Sequence, residues 1–463
     1  MENEQKNVSK VGLRNWLIII IVGLAGQFAW AIENMYLNTY ITYLNFSAPA
    51  EQAFDYSLMI AITTAASAVV ATFTTMFMGV LSDRLNKRKI LISVGYILWG
   101  ISTASFGLFN VNSSQSLFVV AMTASMAAIM VIVIDCVMTF LGSSANDAAF
   151  NSYITKSIDD KDRAKVEGVL SILPLVAMLM IFVALNGLTT EEGGNRWDLF
   201  FYIVGGVVVL VGVVSLFLVP KDNGEKDASQ SFKRLLVEGF RPSIIKENRK
   251  LYFTLLLYFI YSVAIQVYFP YLMVYIEKSC NISNTGGISP FVIVMAVSLI
   301  LGSALSVLVG FIADKVGKEK MIAPVFGILG TGLLLMFFIP YIQNDTLRTV
   351  FGATGGLVMI LGYVSVPTIL NAIVREYIPK GKEGTFLGVR MIFVVALPMV
   401  IGPFIGNALN GAFGELYEGA YGVKDNLPSN WGYIVALAIV VIAAVIYFIF
   451  RKKFYNGSEE RTK

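Results

Sequence analysis

GVLSDRLNKRK at Gly79–Lys89 and GFIADKVGKEK at Gly310–Lys320 are two copies of one pattern. In each, a glycine is followed four positions later by an aspartate and then at once by a cation, Asp83-Arg84 and Asp314-Lys315. Each reads as the end of one membrane helix, a tight hairpin and the basic start of the next. The copies lie 231 residues apart in a chain of 463, so one half of the chain repeats the other. A second pair of markers agrees: Asn151 precedes Gly168 by 17 residues, and Asn371 precedes Gly388 by the same 17.

Composition sets the solvent. Hydrophobic residues make up 56% and charged residues 14%, where a soluble chain carries about 25% charged; mean hydropathy is +0.71. This is a polytopic membrane protein. Two cysteines, Cys136 in an apolar run and Cys280 in a short loop, exclude a disulfide scaffold. With no histidine, any proton chemistry falls to carboxylates. There is no phosphate-binding glycine loop with lysine, no metal cluster and no Ser/His arrangement, so neither an enzyme nor a cofactor is expected.

Apolar stretches occur at about 15–43, 56–81, 89–110, 128–156, 165–188, 198–219, 251–276, 288–312, 320–341, 349–378, 385–411 and 431–450. Each supplies the ~20 residues that a spanning helix needs. They predict an all-α fold of 12 transmembrane helices in two six-helix halves, 15–220 and 251–450, with polar ends at 1–14 and 451–463. Residues 221–250 read as a linker, with an amphipathic turn or two at 231–240 resting Phe232, Leu235 and Leu236 on the membrane surface. The long apolar region before Ser157 predicts an interfacial helix near 114–127 ahead of the fourth span. With the N-terminus inside, 31 of the 35 Lys and Arg fall on the inner side, leaving Arg196, Lys278, Arg348 and Lys424 outside. Both termini are therefore expected in the cytoplasm, in the plasma membrane. The net charge of +4 belongs to this asymmetry and does not call for a nucleic-acid partner; the expected state is a monomer in the bilayer.

Polar residues inside the spans carry the functional information, because an ionised group at a helix centre costs about 2.5–3.5 kcal/mol. Helix one holds Gln27, Trp30, Glu33, Asn34 and Asn38; spacings of 7 and 4 put Gln27, Asn34 and Asn38 on one face. Glu33 reads as a cavity carboxylate for a proton or cation, or as a wet group at the outer interface. Helix seven holds Tyr258, Tyr261, Gln266, Tyr268, Tyr271 and Tyr275; such rings can stack on a sugar's apolar face while polar tips bond its hydroxyls. Tyr261 and Gln266 are the candidate lining residues. In helix four, GSSANDAAFNSYITKSIDDKDRAKVEG from Gly142 sets Asn146, Asp147 and Asn151 among small residues that allow close helix approach. Asp147 is the expected centre of substrate coupling.

The two hairpins resemble the loop motif of the major facilitator superfamily. Together with helix four and GQFAWAIENMYLNTYITYL of helix one, they resemble the glycoside–pentoside–hexuronide cation symporters and the related sucrose-type carriers. The resemblance implies two pseudo-symmetric halves around a cavity. It implies that Asp147-Ala-Ala-Phe150 sits on the family's helix-four pattern, contacting sugar or coupling ion, and that Gln27 takes the place of a sugar-binding aspartate. The family's helix-two carboxylates would fall on Ala71 and Thr75, so a sodium site built on them is absent. Asp83 and Arg84 are further expected to latch the two halves at the cytoplasmic ends, Asp83 facing cationic and helix-terminal partners near the start of helix eleven at Gly384, with Gly79, Arg88, Gly310, Asp314 and Lys315 as the other gating residues. The expected function is proton-coupled transport of a sugar or glycoside; an exporter of amphipathic compounds and a non-transporting nutrient sensor remain open.

Overall fold

The computed structural model describes residues 11–455 except 86, 111–119, 159, 191–193, 221–237, 286–288 and 380–382. Of residues 83–85, 121, 155, 156, 160–165, 167, 168, 171, 238, 383–385 and 387 it describes the backbone only. Among the described residues, twelve helices are long and apolar enough to cross a membrane. Spans 1–6 are Leu13–Phe46, Ala50–Ser82, Arg88–Leu108, Ala124–Ile154, Ile172–Thr189 and Trp197–Leu218. Spans 7–12 are Arg249–Ser279, Pro290–Val316, Lys318–Tyr341, Asp345–Tyr377, Gly388–Phe413 and Trp431–Phe454. Hydrocarbon offers the backbone no partner, so a spanning segment must close its own hydrogen bonds, and the helix does so. The perimeter is apolar, with Phe73, Phe77, Ile129, Val133 and Phe140 exposed to lipid.

Consecutive spans run antiparallel, and the hairpins divide between two faces. The basic face carries Lys87–Lys89, Lys318–Lys320 and Arg451–Lys453; the opposite face carries the turns at 47–55, 280–285 and 414–430. At the opposite face helix starts are capped in the ordinary way. Thr123, Ser289 and Asn344 side chains accept from the N–H of Met126, Val292 and Leu347 at 3.4, 3.2 and 2.9 Å. The two halves pack against each other chiefly through span 2 on span 11 and span 5 on span 8.

The second hairpin copy turns at Gly317, whose φ of +104° is open to glycine at little cost. Asp314 and Lys315 are exposed there. Gly79 and Gly310 are not sites of close approach, since a Cβ on either would meet nothing within 4 Å. In the first copy Arg88 is buried, and its Nε donates to Ser152 Oγ at 3.0 Å, tying the first hairpin to the end of span 4. The side chains of Asp83 and Arg84, and the surroundings of Gly384, lie outside what is described.

One local expectation changes, and the structure adds local elements that the sequence did not announce. No described residue of 114–127 before Ala124 is helical: Val120–Ala121 pairs as a short parallel ladder with Phe109–Asn110, and span 4 starts at Ala124 behind its Thr123 cap. Residues 111–119 and most of the amphipathic stretch, 231–237, lie outside the described residues; within the linker, Pro242–Glu247 forms a short helix with proline in its first turn. The connection between spans 11 and 12 is an unforeseen antiparallel hairpin, Leu416–Glu418 with Lys424–Asn426. Spans 1, 4, 7 and 11 also contain π-helical turns, at Ile32–Tyr36, Ser143–Phe150, Tyr275–Ser279 and Ile392–Ala396. Such wide turns re-aim side chains beyond them and concentrate at functional positions.

Candidate functional site

Span 4 and span 1 build the first cavity, about 340 Å3, lined by Gln27, Trp30, Asn146, Asp147, Phe150, Asn151 and neighbouring Gly23 and Leu170. The Tyr96 hydroxyl of span 3 donates to Asn146 Oδ1 at 2.9 Å and lies 3.1 Å from the Val22 carbonyl. Asn146 Nδ2 in turn donates to Asp147 Oδ1 at 3.1 Å, so the carboxylate is aimed through a chain of two polar side chains. Gly26 makes room for this chain: a Cβ there would sit 2.8 Å from the Tyr96 hydroxyl and 2.9 Å from Asn146 Oδ1. Asn151 Nδ2 donates to the Asp147 carbonyl at 3.1 Å, and Asn151 itself is exposed while lining the cavity. Trp30 packs edge-on against Trp99, centroids 5.6 Å apart, and so forms an aromatic wall. Thr75, where the resemblance placed a lost carboxylate, stands beside Asp147 as an uncharged hydroxyl.

The second cavity, about 560 Å3, lies between the halves and has the size of a small-molecule site. Its polar lining comes from Tyr258, Tyr261, Gln266, Ser298, Tyr363 and Asn371, and its apolar lining from Met35, Pro174, Met178, Phe269 and Met295. The Tyr261 hydroxyl donates to the Tyr363 carbonyl at 2.7 Å, which fixes the ring. Asn371 Nδ2 donates to the Tyr258 hydroxyl at 3.1 Å, while Asn371 Oδ1 and Ser298 Oγ are buried without a hydrogen-bond partner. Arg390 of span 11 approaches Tyr258, and its Nε is likewise buried and unpartnered. Leu170 lines the first cavity and Pro174 the second, one turn along the same helix.

The expected common face of helix one is divided. Gln27 lines the cavity at Asp147, but Glu33, Asn34 and Asn38 line a separate small pocket with Asp135, Thr63, Ser67 and Gln266. The π turn at Ile32–Tyr36 begins between them, and its extra residue breaks the 3.6 periodicity on which the common face rested. Glu33 is not a wet outer residue: its Oε2 is fully buried without a partner. Asp135, which the reading of span 4 missed, is 1% exposed, and neither of its carboxylate oxygens has a hydrogen-bond partner. The signal was present, because a lone aspartate in the run Ala124–Gly142 is a costly exception. Among the described residues no group of three or more His, Cys, Asp and Glu side chains could hold a metal.

At the opposite face the halves are joined by hydrogen bonds. Asn45 Nδ2 donates to Asp425 Oδ2 at 3.2 Å, and the Tyr56 hydroxyl to the Asn426 carbonyl at 2.8 Å. Asn410 Nδ2 donates to Ser57 Oγ at 3.0 Å, and Asn186 Nδ2 to Asn284 Oδ1 at 2.9 Å. Phe46 packs edge-on against Tyr417 of the hairpin, centroids 5.1 Å apart. Burial pushes the Asp425 carboxyl above its ordinary range, and the Asn426 N–H and Asn45 amide partly offset that.

A family model described as Major Facilitator Superfamily matches residues 35–403. A search of curated proteins finds no match. Among solved structures, a single-residue mutant of the nucleoside transporter NupG superposes with a TM-score of 0.70 at 12% identity, over 94% of this chain and 98% of that one. A bacterial homolog of the human lysosomal transporter Spinster, inward-facing and occupied, gives 0.67 at 15% identity, over 96% and 99%. The xylose transporter XylE from E. coli, in a partially occluded inward open conformation, gives 0.63 at 14% identity, over 95% and 99%. At these identities the likeness concerns the fold.

Proposed function

The chain belongs to the Major Facilitator Superfamily, and from that premise we propose that it is a secondary active transporter of a sugar or glycoside, coupled to protons through Glu33 or Asp147. The observation that carries this reading is the 560 Å3 cavity between the halves. Tyrosine rings wall it, and Asn371 Oδ1 and Ser298 Oγ have hydrogen-bonding capacity to spare. A polyhydroxylated ring offers an apolar face to such rings and donors to such acceptors. Gln27, Asp147 and Asn151 in the first cavity serve the same solute from the other half, with Trp30 as a stacking wall. With both termini in the cytoplasm, the basic face is cytoplasmic and the bonded opposite face is the closed external gate.

The methionine-rich apolar lining, Met35, Met178 and Met295, favours a second reading, an exporter of amphipathic compounds, since unbranched thioethers adapt to varied shapes. Uptake into proteoliposomes decides between them. A panel of sugars, glycosides and nucleosides is tested with and without an imposed pH gradient, beside a panel of lipophilic cations. Gradient-driven accumulation of a sugar supports the proposal; extrusion of lipophilic cations with no sugar accumulation overturns it.

A further inference from the structure

The small pocket at Glu33 is chemically one-sided. Its volume is about 10 Å3, room for one water-sized particle. Into it face the Glu33 and Asp135 carboxylates, and Asn38, 4% exposed, whose Oδ1 has no hydrogen-bond partner. Asn38 Nδ2 is occupied, donating to the Asn34 carbonyl at 3.3 Å, so it is the acceptor end that is left over. Among the residues lining the pocket the buried unpartnered atoms are thus all oxygens that accept, from spans 1 and 4; the Thr139 hydroxyl beside Glu33 is buried and unpartnered as well. No lysine or arginine lines the pocket.

The pocket is also shared between the halves. Spans 1, 2 and 4 supply Glu33, Thr63, Ser67 and Asp135; spans 7 and 11 close it with Gln266, Phe269, Pro270 and Met399. The titratable groups near the carboxylate pair are Asp147, on its own side of the seam, and Cys136, beside Asp135. Ser67 and Thr139 flank Glu33 with uncharged hydroxyls. The residues with which spans 7 and 11 line the pocket, Gln266, Phe269, Pro270 and Met399, are uncharged; Arg390 of span 11 lies instead at Tyr258 in the second cavity.

Resting on the transporter reading and sharpening it, we propose that Glu33 and Asp135 are the site of the coupling cation, and that the halves close over them only when one monovalent cation, a proton or a sodium ion, is shared by the two carboxylates and reduces the pair to a single net charge. Two like charges sealed together out of water repel and lose their hydration. When spans 7 and 11 withdraw, water solvates both carboxylates and the cation can leave. Closure then selects the loaded state, and the cation is linked to the conformational change without touching the solute. Asp147, in the other cavity, is left to the solute.

The test needs no solute, so its failure leaves the sugar reading standing, and a failed uptake panel leaves this one standing. Spin labels are placed at Ala50→Cys and Tyr421→Cys, exposed positions on the two halves at the opposite face. Cys136→Ala removes the accessible native thiol, and buried Cys280 stays. Asp425→Asn silences the titratable group of the gate itself. Distances are measured in lipid nanodiscs from pH 8 to pH 5 in choline buffer, and at pH 8 with increasing sodium chloride. The expected result is a shift to the short distance with acid, identifying a proton, or with sodium, identifying that ion. Glu33→Gln and Asp135→Asn should each abolish the shift and hold the short distance throughout, whereas Asp147→Asn should keep it. If one variant fails to fold, judged by its size-exclusion profile, the other decides. Insensitivity to both ions, a shift that persists in the folded Glu33 and Asp135 variants, or a shift lost in Asp147→Asn overturns the proposal.

Discussion

Asn45 and Asp425 are 380 residues apart in sequence and 3.2 Å apart in space, an amide of span 1 donating to a carboxylate of the last hairpin. The contact spans the two halves at the face away from the basic loops. It makes the hairpin Leu416–Asn426 part of the seal between the bundles, held also by Tyr56 on Asn426 and by Phe46 on Tyr417.

The seal should respond to pH in a definite sense. Burial holds the Asp425 carboxyl above its ordinary range when the seal is closed, and parting of the halves returns it toward an ordinary aspartate near 3.9. The closed form therefore binds the proton more tightly than the open form. Protonation favours closure, fully below about pH 4, and that advantage is lost as pH rises through the closed-state value. Asp425→Asn should increase the closed population at neutral pH and remove the Asp425 contribution to its pH dependence. Spin–spin distances between the Ala50 and Tyr421 positions, compared with and without Asp425→Asn while Glu33 and Asp135 are left intact, check both.

Asn410 is 3% exposed, donating to Ser57 Oγ at 3.0 Å and accepting from the Ser429 N–H at 2.8 Å. Asn410→Ala leaves that N–H and hydroxyl without partners, a cost of about 1–3 kcal/mol. Part of the cost falls on the closed state alone, because Ser57 belongs to the other half. The expected outcome is a shift toward parting at the opposite face, read as faster alkylation of a Gln27→Cys probe by a reagent added from that side.

Gly26→Ala should damage the first cavity while sparing the second. The new methyl meets the Tyr96 hydroxyl and Asn146 Oδ1 at under 3 Å, an overpacking of about 1–3 kcal/mol. Tyr96→Phe removes the same hydrogen bond without adding bulk, at about 0.5–1.5 kcal/mol. Both variants should bind solute more weakly, Gly26→Ala more so, and thermal unfolding in detergent should rank them in the same order.

Asp147→Asn should weaken solute binding about 10–100-fold, since a hydrogen bond to a charged acceptor contributes about 1.5–3 kcal/mol. Exchange kinetics in proteoliposomes measure this, with Asn371→Ala as the counterpart in the second cavity. An unchanged affinity in Asp147→Asn would leave that residue a structural acceptor for Asn146.

The architecture was legible because membrane physics writes it in long, simple signals. Apolar runs of spanning length and the paired hairpins at Asp83 and Asp314 sufficed for twelve spans in two halves. Asp147 and Asn151 were legible as companions, because four residues is nearly one helical turn. The grouping of Gln27 with Asn34 and Asn38 failed because a π turn adds a residue with no signature in composition. Asp135 was overlooked beside Cys136, although its charge is the dearer feature of that run. The bond between Asn45 and Asp425 was beyond reach, since neither end of such a contact announces the other in sequence.

The last hairpin is C-terminal by sequence yet clasps the first span, so its tip, Ala420 to Gly422, sits at the seam without entering either cavity. Parting of the halves would withdraw Asn45 and Phe46 from the hairpin, so the closed tip is expected to be an epitope for one conformation only. A nanobody selected against the closed tip would stop the transport cycle from the surface, as a wedge driven beside a hinge stops a door, whatever the solute is.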